Sequence, residues 1–193
     1  MTGLSATSKI GFVGAGMVGR SLAVALSQKG YTVTATASRT ASSAEGLAGL
    51  VPGCTAVATA DEVAEACDFV FITTPDDAIG PVTAAAAWRR GQGVAHCSGV
   101  ASLDVLAAAR LCGALLGAFH PLQTFSSVED GVRTLPGITF AIEGKGAVRS
   151  FLAEMAVALG GDPIFLRPQD KPLYHASVVM MGGLLTGLAG AVA

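Results

Sequence analysis

Residues 9–29 read KIGFVGAGMVGRSLAVALSQK, and this stretch decides the fold. The apolar run at 9–13 is typical of a buried strand, and the Ala- and Leu-rich run that follows has the period of a helix. Between the two lies the pattern G-x-G-x-x-G, formed by Gly14, Gly16 and Gly19. This pattern is weak alone, but a strand before it and a helix after it make it typical of a dinucleotide-binding turn. A tight turn without a ligand is the alternative.

Each glycine of this turn has its own expected task. Gly14 permits the tight turn, Gly16 lets a pyrophosphate approach the backbone, and Gly19 lets the helix pack close to the sheet. The free N–H groups at the start of the helix would face the anion. The cofactor-binding residues expected in this turn are Gly14, Ala15, Gly16, Met17, Val18 and Gly19.

The rest of the chain alternates short apolar runs with Ala- and Leu-rich stretches of helical period. Strands are predicted at 10–13, 33–37, 54–57, 69–73, 94–97, 115–119, 138–143 and 163–166, and helices at 17–29, 41–50, 60–66, 78–89, 103–110 and 147–159. Such alternation is typical of βαβ units. We therefore predict an α/β fold with a doubly wound, mostly parallel sheet of the Rossmann type over residues 1–167. Residues 168–193 are predicted to be the first helix of an all-helical dimerisation domain.

Two segments depart from this alternation. Residues 120–137 have no clear period, and a loop of that length is expected only if it has a function or contains a hidden turn of helix. Residues 172–193 contain no Asp, Glu, Lys or Arg. A membrane span is discounted because Pro172, His175 and several glycines interrupt the run and no basic flank follows it. The apolar helix is expected to need a protein partner instead, which predicts a homodimer.

The composition excludes several classes of protein. A net charge of −2 argues against a nucleic-acid binder, and a 51% hydrophobic content argues against disorder. The four cysteines have neither redox nor zinc-ligand spacing, so no metal site is expected and a reducing cytoplasm is the expected location. No apolar segment near the start predicts a secretory signal.

The end of the second predicted strand bears on the choice of dinucleotide. An NAD site presents a carboxylate there to the ribose 2′-hydroxyl. This chain instead has Ser38, Arg39 and Thr40. Because an arginine fork matches phosphate geometry, we expect a preference for the 2′-phosphate of NADP(H). A merely solvated arginine is the alternative.

Other polar residues follow the later strands, where ligands bind in doubly wound sheets. Thr73, Thr74 and Pro75 are expected to line the nicotinamide ribose, with Asp76 or Asp77 capping the next helix.

His96, Ser98 and His120 end the next two strands, and no G-x-S-x-G sequence indicates a serine hydrolase. His96 and Ser98 are expected to donate hydrogen bonds, although a satisfied structural histidine is an equal alternative for His96. His120 is the expected acid or base, with a pKa near neutrality. Lys171 and His175 are four residues apart on one helical face, so Lys171 is either a catalytic group facing inward or a solvated residue.

The motifs together identify a resemblance to a family. GFVGAGMVGRSLA (11–23), SRT (38–40), TTPDDAI (73–79), HCSG (96–99), GAFHPLQTF (117–125), GITFAIEG (137–144) and KPLYHASVV (171–179) carry it. The chain resembles the Rossmann-like proteins that carry a domain of unknown function, DUF2520, and that are related to pyrroline-5-carboxylate reductase and ketopantoate reductase.

This resemblance implies an NADP-dependent oxidoreductase-like protein with a helical dimerisation domain after the nucleotide-binding domain, and it supplies no substrate. Our first hypothesis is a reductase of a small carbonyl or imine compound, with Lys171, His120 and Ser98 as the catalytic residues. Members of the family usually continue for several more helices, so the chain is expected to be shortened at its end. Gly182 and Gly183 stand where relatives carry a Ser-Asn pair. The missing Asn favours a non-catalytic NADP-binding sensor or scaffold as an alternative. A third possibility, by likeness to similar reductases, is a reductase that pairs NADP with the deazaflavin F420.

Overall fold

The computed structural model describes residues 4–180 and confirms the alternation of strands and helices. The strands are β1 (Lys9–Val13), β2 (Thr32–Ala37), β3 (Thr55–Ala56), β4 (Phe69–Ile72), β5 (Gly93–His96), β6 (Leu115–Pro121), β7 (Thr139–Gly144) and β8 (Asp162–Phe165). The α-helices are α1 (Met17–Gln28), α2 (Ala41–Ala48), α3 (Ala60–Ala66), α4 (Asp76–Ala84), α5 (Ala107–Leu111), α6 (Val128–Arg133) and α7 (Gly146–Ala158). Two short 3-10 helices cover Leu103–Leu106 and Pro168–Asp170.

These strands form one sheet in the order β3-β2-β1-β4-β5-β6-β7-β8. The first six strands pair in parallel, in the doubly wound order of a Rossmann fold. β7 pairs antiparallel to β6, and β8 is parallel to β7. The carboxyl ends of β1, β2, β4, β5 and β6 therefore meet at one edge of the sheet, where the sequence predicts the ligand.

One face of the sheet is built around phenylalanines. Phe12, Phe71, Phe119 and Phe140 form a continuous row of ring contacts, with centroids 4.6–5.7 Å apart. Ala95 lies on β5, between the strands of Phe71 and Phe119, and its small side chain leaves room for their contact. The apolar sides of α1 and α7 cover this row. This burial is the main term that holds the sheet in place.

The opposite face is aliphatic and lies under α3, α4 and α5. Because side chains alternate between the two faces of a strand, this face also receives His96 from β5, His120 from β6 and Glu143 from β7. The aliphatic core thus ends in polar groups at the edge where the parallel strands end.

The fourth helix differs most from the sequence prediction. It was expected at 78–89, but α4 begins at Asp76 and ends at Ala84. The chain leaves the helix because Trp88 is buried and its indole N–H donates to the carbonyl of Thr83. Arg89 then donates to the carbonyls of Ala64 and Cys67, at the end of α3. These contacts outweigh the helical propensity of the alanines that follow Ala84.

The long segment 120–137 contains the hidden helix that its length suggested. Helix α6 begins after Ser127, whose side chain accepts a hydrogen bond from the N–H of Asp130. It packs closely on α1, since a Cβ added at Gly131 would lie 2.3 Å from Oγ of Ser21. A short helix with few apolar residues gives no periodic signal, so the sequence could not locate it.

After the 3-10 helix at Pro168–Asp170, residues 171–180 are helical, and we name this segment α8. The predicted remainder of this helix, and with it most of the expected dimer contact, lies outside the described residues. Across 4–180, none of the helices combines the length and the apolar character that a membrane span requires. The division at residue 167 remains a prediction.

Candidate functional site

The three glycines of the turn between β1 and α1 occupy three different environments. Gly14 has a φ of +107°, and a Cβ there would lie 2.6 Å from the backbone of Thr73. A Cβ on Gly19 would lie 2.4 Å from the carbonyl oxygen of Gly14. A Cβ on Gly16 would meet nothing within 4 Å. Gly14 and Gly19 are therefore required by packing, whereas Gly16 faces open space, as a pyrophosphate site requires.

The start of α1 favours an anion. The helix begins after Gly16, which has no side chain to cap it, and no acidic residue occupies the first turn. The first N–H groups of a helix have no partner within the helix, and they carry the positive end of its dipole. They are available to an anion at this turn.

A cleft of about 660 Å³ opens over this turn, a volume typical of ligand sites. Three of the predicted segments line it, namely Gly14–Ala15–Gly16, Ser38–Arg39–Thr40 and Thr73–Thr74–Pro75. The other three predicted cofactor residues, Met17, Val18 and Gly19, belong to the first turn of α1 and do not line it. The structure therefore brings nine of the twelve predicted cofactor residues to one cleft.

Arg39 lies exposed at the rim of this cleft. Thr40 is the N-cap residue of α2, but its hydroxyl donates to Oγ of Ser43 at 2.7 Å, and the side chain does not cap the helix. Ser43 also lines the cleft. The rim therefore presents one guanidinium and a cluster of hydroxyls, donors that suit a phosphate.

Arg20 is a functional candidate that the sequence reasoning missed. Its Nε donates to the carbonyl of Ala15 at 2.9 Å, and its Nη2 donates to the carbonyl of Ser43 at 3.2 Å. The side chain therefore ties the glycine turn to the start of α2. A basic residue directly after the third glycine was the available signal, but sequence alone does not show which carbonyls it reaches.

A second group of polar residues lies at the ends of β5, β6 and β7. His96 pairs in register with Ala118, and Ala118 with Glu143, so His96 and Glu143 flank one small side chain on the same face. Lys171 of α8 reaches this face. Its Nζ lies 3.1 Å from Oε2 of Glu143 and also donates to the carbonyl of Ala101. Lys171 is therefore an inward-facing residue, with only 4% of its surface exposed.

The charge of this group is set by burial and by Lys171. Burial lowers the pKa of Lys171, while the carboxylate of Glu143 opposes that effect. Burial, followed by the charge of Lys171, lowers the pKa of His96 to about 3. The same two causes, with a smaller effect of His175, lower the pKa of His120 to about 4. The expectation that His120 titrates near neutrality is wrong, because burial of the ring, and then the charge of Lys171, lower its pKa.

His120 is held in place on two sides. Its Nδ1 lies 3.0 Å from the hydroxyl of Tyr174, and the two rings meet edge to face. The other side of the imidazole packs on Gly99, where a Cβ would lie 2.8 Å from Nε2. Through Tyr174, His120 therefore contacts α8, the helix that also carries Lys171.

Ser98 and His96 differ in how their polar atoms are satisfied. Oγ of Ser98 accepts from the N–H groups of Val100 and Ala101, at 3.2 and 3.0 Å. Ser98 thereby shapes the loop whose Ala101 carbonyl receives the lysine. His96 is fully buried, and neither of its ring nitrogens has a hydrogen-bond partner among residues 4–180. Whether Ser98 contacts a substrate remains a prediction.

Asp76 connects the two parts of the site. It follows Pro75 of the cleft and lies in the first turn of α4. Asp77 lies in the same turn, and because the helix has no side-chain cap, neither aspartate has the predicted capping role. The negative charge of Asp76 favours the protonated forms of both His120 and Lys171. The polar group therefore lies within electrostatic range of the end of the cleft that Thr73–Pro75 form.

Solved structures with the same fold come from several organisms. A Bacteroides fragilis protein named as a candidate NADP oxidoreductase is 23% identical with a TM-score of 0.79; the alignment covers 97% of this chain and 71% of that one. An imine reductase from Pseudomonas sp. is 20% identical with a TM-score of 0.77, over 96% of this chain and 66% of the other.

A reductive aminase from Aspergillus terreus, in complex with NADPH4, cyclohexanone and allyl amine, is 20% identical with a TM-score of 0.74. The alignment covers 96% of this chain and 64% of that protein. At such identities the likeness establishes the fold. The chain spans about two thirds of the length of these proteins.

No curated protein sequence matches the chain. Two family models do match it. The Rossmann-like domain matches residues 4–121, the part that contains the glycine turn, the cleft and His120. The domain of unknown function DUF2520 matches residues 138–193, the part that contributes Glu143 and Lys171. The chain therefore belongs to the Rossmann-like domain family and joins that domain to a DUF2520 region.

Proposed function

We propose that the protein is an NADP-dependent oxidoreductase that transfers a hydride between NADP(H) and a small carbonyl or imine compound. The observation that carries this proposal is the single cleft at which the open face of Gly16, the guanidinium of Arg39 and Thr73–Pro75 meet. These are the three places at which a Rossmann fold holds the pyrophosphate, the 2′-phosphate and the nicotinamide ribose.

Residues of the cleft have separate tasks in holding the dinucleotide. The amides that follow Gly16 would receive the pyrophosphate, and Ser38, Arg39 and Thr40 would receive the 2′-phosphate. No carboxylate stands at the end of β2 to select NAD. When bound, the nicotinamide supplies the hydride, and the protein supplies orientation and a proton.

Lys171 is the proposed source of that proton. Its ammonium is buried on the face to which His96 and His120 belong, and the charge of Asp76, which follows Pro75 of the cleft, acts on it. Burial weakens its hold on the proton, which brings a lysine closer to the range useful for acid catalysis at neutral pH. His120 would act as a neutral hydrogen-bonding group, because its lowered pKa leaves it unprotonated at pH 7.

The substrate class is proposed from the neighbouring structures. An imine reductase and a reductive aminase share the fold, and the reductive aminase was solved with cyclohexanone and allyl amine. A carbonyl or imine becomes more basic as it accepts a hydride, so a buried ammonium suits it. NADPH consumption with cyclohexanone, alone and with allyl amine, is the first assay of this proposal.

A non-catalytic NADP-binding protein is the second candidate. It is favoured by the contacts of Lys171, whose ammonium already lies against Glu143 and Ala101. Binding of NADPH without consumption across a wide set of carbonyl and imine compounds would support it, whereas turnover of any of them would exclude it.

Replacing Arg39 with alanine should separate the two dinucleotides. We expect the Kd for NADPH to rise roughly tenfold or more, because a charge-assisted hydrogen bond contributes about 1.5–3 kcal/mol. The Kd for NADH should change little, and calorimetry measures both. Arg133→Ala is the control, since that exposed side chain pairs with Asp130 on α6. Equal losses for NADPH and NADH would contradict the 2′-phosphate role.

Two single-methyl changes should separate binding from stability. Gly16→Ala adds a Cβ where nothing lies within 4 Å, at an extended backbone that alanine adopts readily, so the melting temperature should stay the same. The methyl group enters the proposed pyrophosphate site, and the affinity for NADPH should fall roughly tenfold, which corresponds to about 1.4 kcal/mol.

Gly19→Ala is the matched variant, because its Cβ would overlap the carbonyl of Gly14. It should lower the free energy of unfolding by about 1–3 kcal/mol. Thermal melting and calorimetry on both variants test the pair. An unchanged NADPH affinity in Gly16→Ala would show that no pyrophosphate lies over this turn.

The charge states of the histidines can be tested directly, because the chain has only three. A lowered pKa means that the ring gives up its proton at a lower pH, so His96 and His120 should stay neutral from pH 8 down to about pH 5.5. NMR of the isotope-labelled rings, assigned with single His→Gln variants, should show no titration of either ring in that range. A midpoint near pH 6.5 for His120 would restore it as the candidate acid.

The apolar side chains of α8 support a homodimer as part of the proposal. Leu173, Val179 and Met180 are exposed in the described chain. Several large apolar side chains exposed on one short helix are a feature of surfaces that a partner covers. Light scattering should return twice the monomer mass of 19.2 kDa. A monodisperse monomer would contradict the expected dimer.

A further inference from the structure

We propose that Glu143 is a positioning residue that fixes the Lys171 ammonium on the face of the sheet that carries His96 and His120 and keeps it protonated. The inference rests on the proposed function and extends it to a strand outside the six parallel strands of the nucleotide-binding sheet. Glu143 would act through Lys171 without touching the substrate.

The sheet itself places the carboxylate. Glu143 lies on β7, which runs antiparallel to β6, and Ala118 of β6 separates it from His96. Lys171 of α8 reaches the same face and contacts Glu143, so the register of β7 against β6 decides which residue pairs with the lysine.

Burial makes this ion pair electrostatically strong. Glu143 is 5% exposed and Lys171 is 4% exposed, and their charged atoms are 3.1 Å apart. Water screens little at such a site, so removal of one charge leaves the other unpaired in a poorly solvated environment. A buried ammonium without an anion beside it releases its proton more readily. Glu143 therefore opposes the effect of burial on Lys171.

The other titratable groups around Lys171 do not replace Glu143. His96 on β5 and His120 on β6 are uncharged at neutral pH, and the charge of His175, on the same helix as Lys171, lowers the pKa of His120. Asp76 on α4 is the other anion whose charge favours the protonated lysine, but Glu143 has the larger effect and is the one in contact. The ionisation of Lys171 should therefore depend mainly on Glu143.

The geometry leaves donor capacity of the ammonium for chemistry. A lysine ammonium has three N–H groups. One donates to the carbonyl of Ala101, whereas Glu143 is an ion-pair partner at 3.1 Å whose Oε2 has no hydrogen-bond partner among residues 4–180. A substrate oxygen or nitrogen, or a water bound to it, is the kind of acceptor that fits the remaining donors.

A purely structural ion pair, which would only hold α8 on the sheet, predicts a different result from a positioning role. The chain has four lysines, Lys9, Lys29, Lys145 and Lys171. NMR of lysines labelled with ¹³C at Cε therefore gives four signals, and Lys171→Met identifies the one that matters. In Glu143→Gln the ionisation constant of Lys171 should increase at least tenfold, with the other three lysines unchanged. Glu129→Gln, at an exposed position of α6, is the matched control and should leave all four unchanged.

A Glu143→Gln protein in which Lys171 titrates as in the wild type overturns the proposal, even if the variant is less stable. Should the glutamine variant fail to fold, Glu143→Asp decides instead. Aspartate keeps the negative charge, but its side chain is one methylene shorter, so the ionisation constant of Lys171 should increase by less than in Glu143→Gln. An unchanged ionisation constant would overturn the proposal.

Activity gives the second measurement and separates this inference from the proposed function. If cyclohexanone and allyl amine support NADPH consumption, Glu143→Gln should move the basic limb of the pH profile to lower pH and reduce kcat at least tenfold. The Kd for NADPH should not change, and Glu143→Asp should recover part of kcat. A profile that does not move counts against the proposal. If no compound is turned over, the proposed function fails, and the lysine titration still decides the role of Glu143.

Discussion

The site depends on the close approach of α1 to the sheet at Gly19. The helix comes so near that Gly19 has no room for a Cβ beside the Gly14 carbonyl, and Oγ1 of Thr73 donates to that same carbonyl at 2.6 Å. This contact joins the glycine turn after β1 to the end of β4. Two of the three segments that line the cleft are thus fixed to each other, and Arg20 ties the third through Ser43. Contacts within the chain therefore hold the walls of the cleft together, which limits the ordering cost of binding.

The two faces of the sheet serve this site in different ways. On one face the row from Phe12 to Phe140 crosses β1, β4, β6 and β7, and it fixes the strands by contacts that tolerate little change in volume. On the other face small and aliphatic residues give way to His96, His120 and Glu143 near the strand ends. The aromatic face supplies rigidity, and the opposite face can hold polar groups that a core would otherwise exclude.

The parts of the molecule that sequence could predict are those with local signals. The strands, the glycine turn and the exposed Arg39 follow from periodicity and from one motif. Helix α6 and the direction of β7 left no such signal, because a short polar helix has little periodicity and an antiparallel strand reads like a parallel one. Glu143 was therefore missed: its role depends on the register of β7 against β6 and on a lysine 28 positions later in the numbering. His120 was found, but its ionisation depends on neighbours that only the fold brings together.

The polar group consists of one cation, Lys171, the carboxylate of Glu143 in contact with it, and the neutral rings of His96 and His120. Burial, and then the charge of Lys171, lower the pKa of both imidazoles, while the carboxylate of Glu143 favours the protonated form of Lys171. The three ionisations are therefore coupled, and a change at any one residue redistributes protons over the others. In such a group the proton on Lys171 is the one most easily given up near neutral pH, since the rings carry none. Under the proposed function, an anion on β7, on the far side of β6 from the cleft, would control the proton of Lys171 without occupying any space in the cleft.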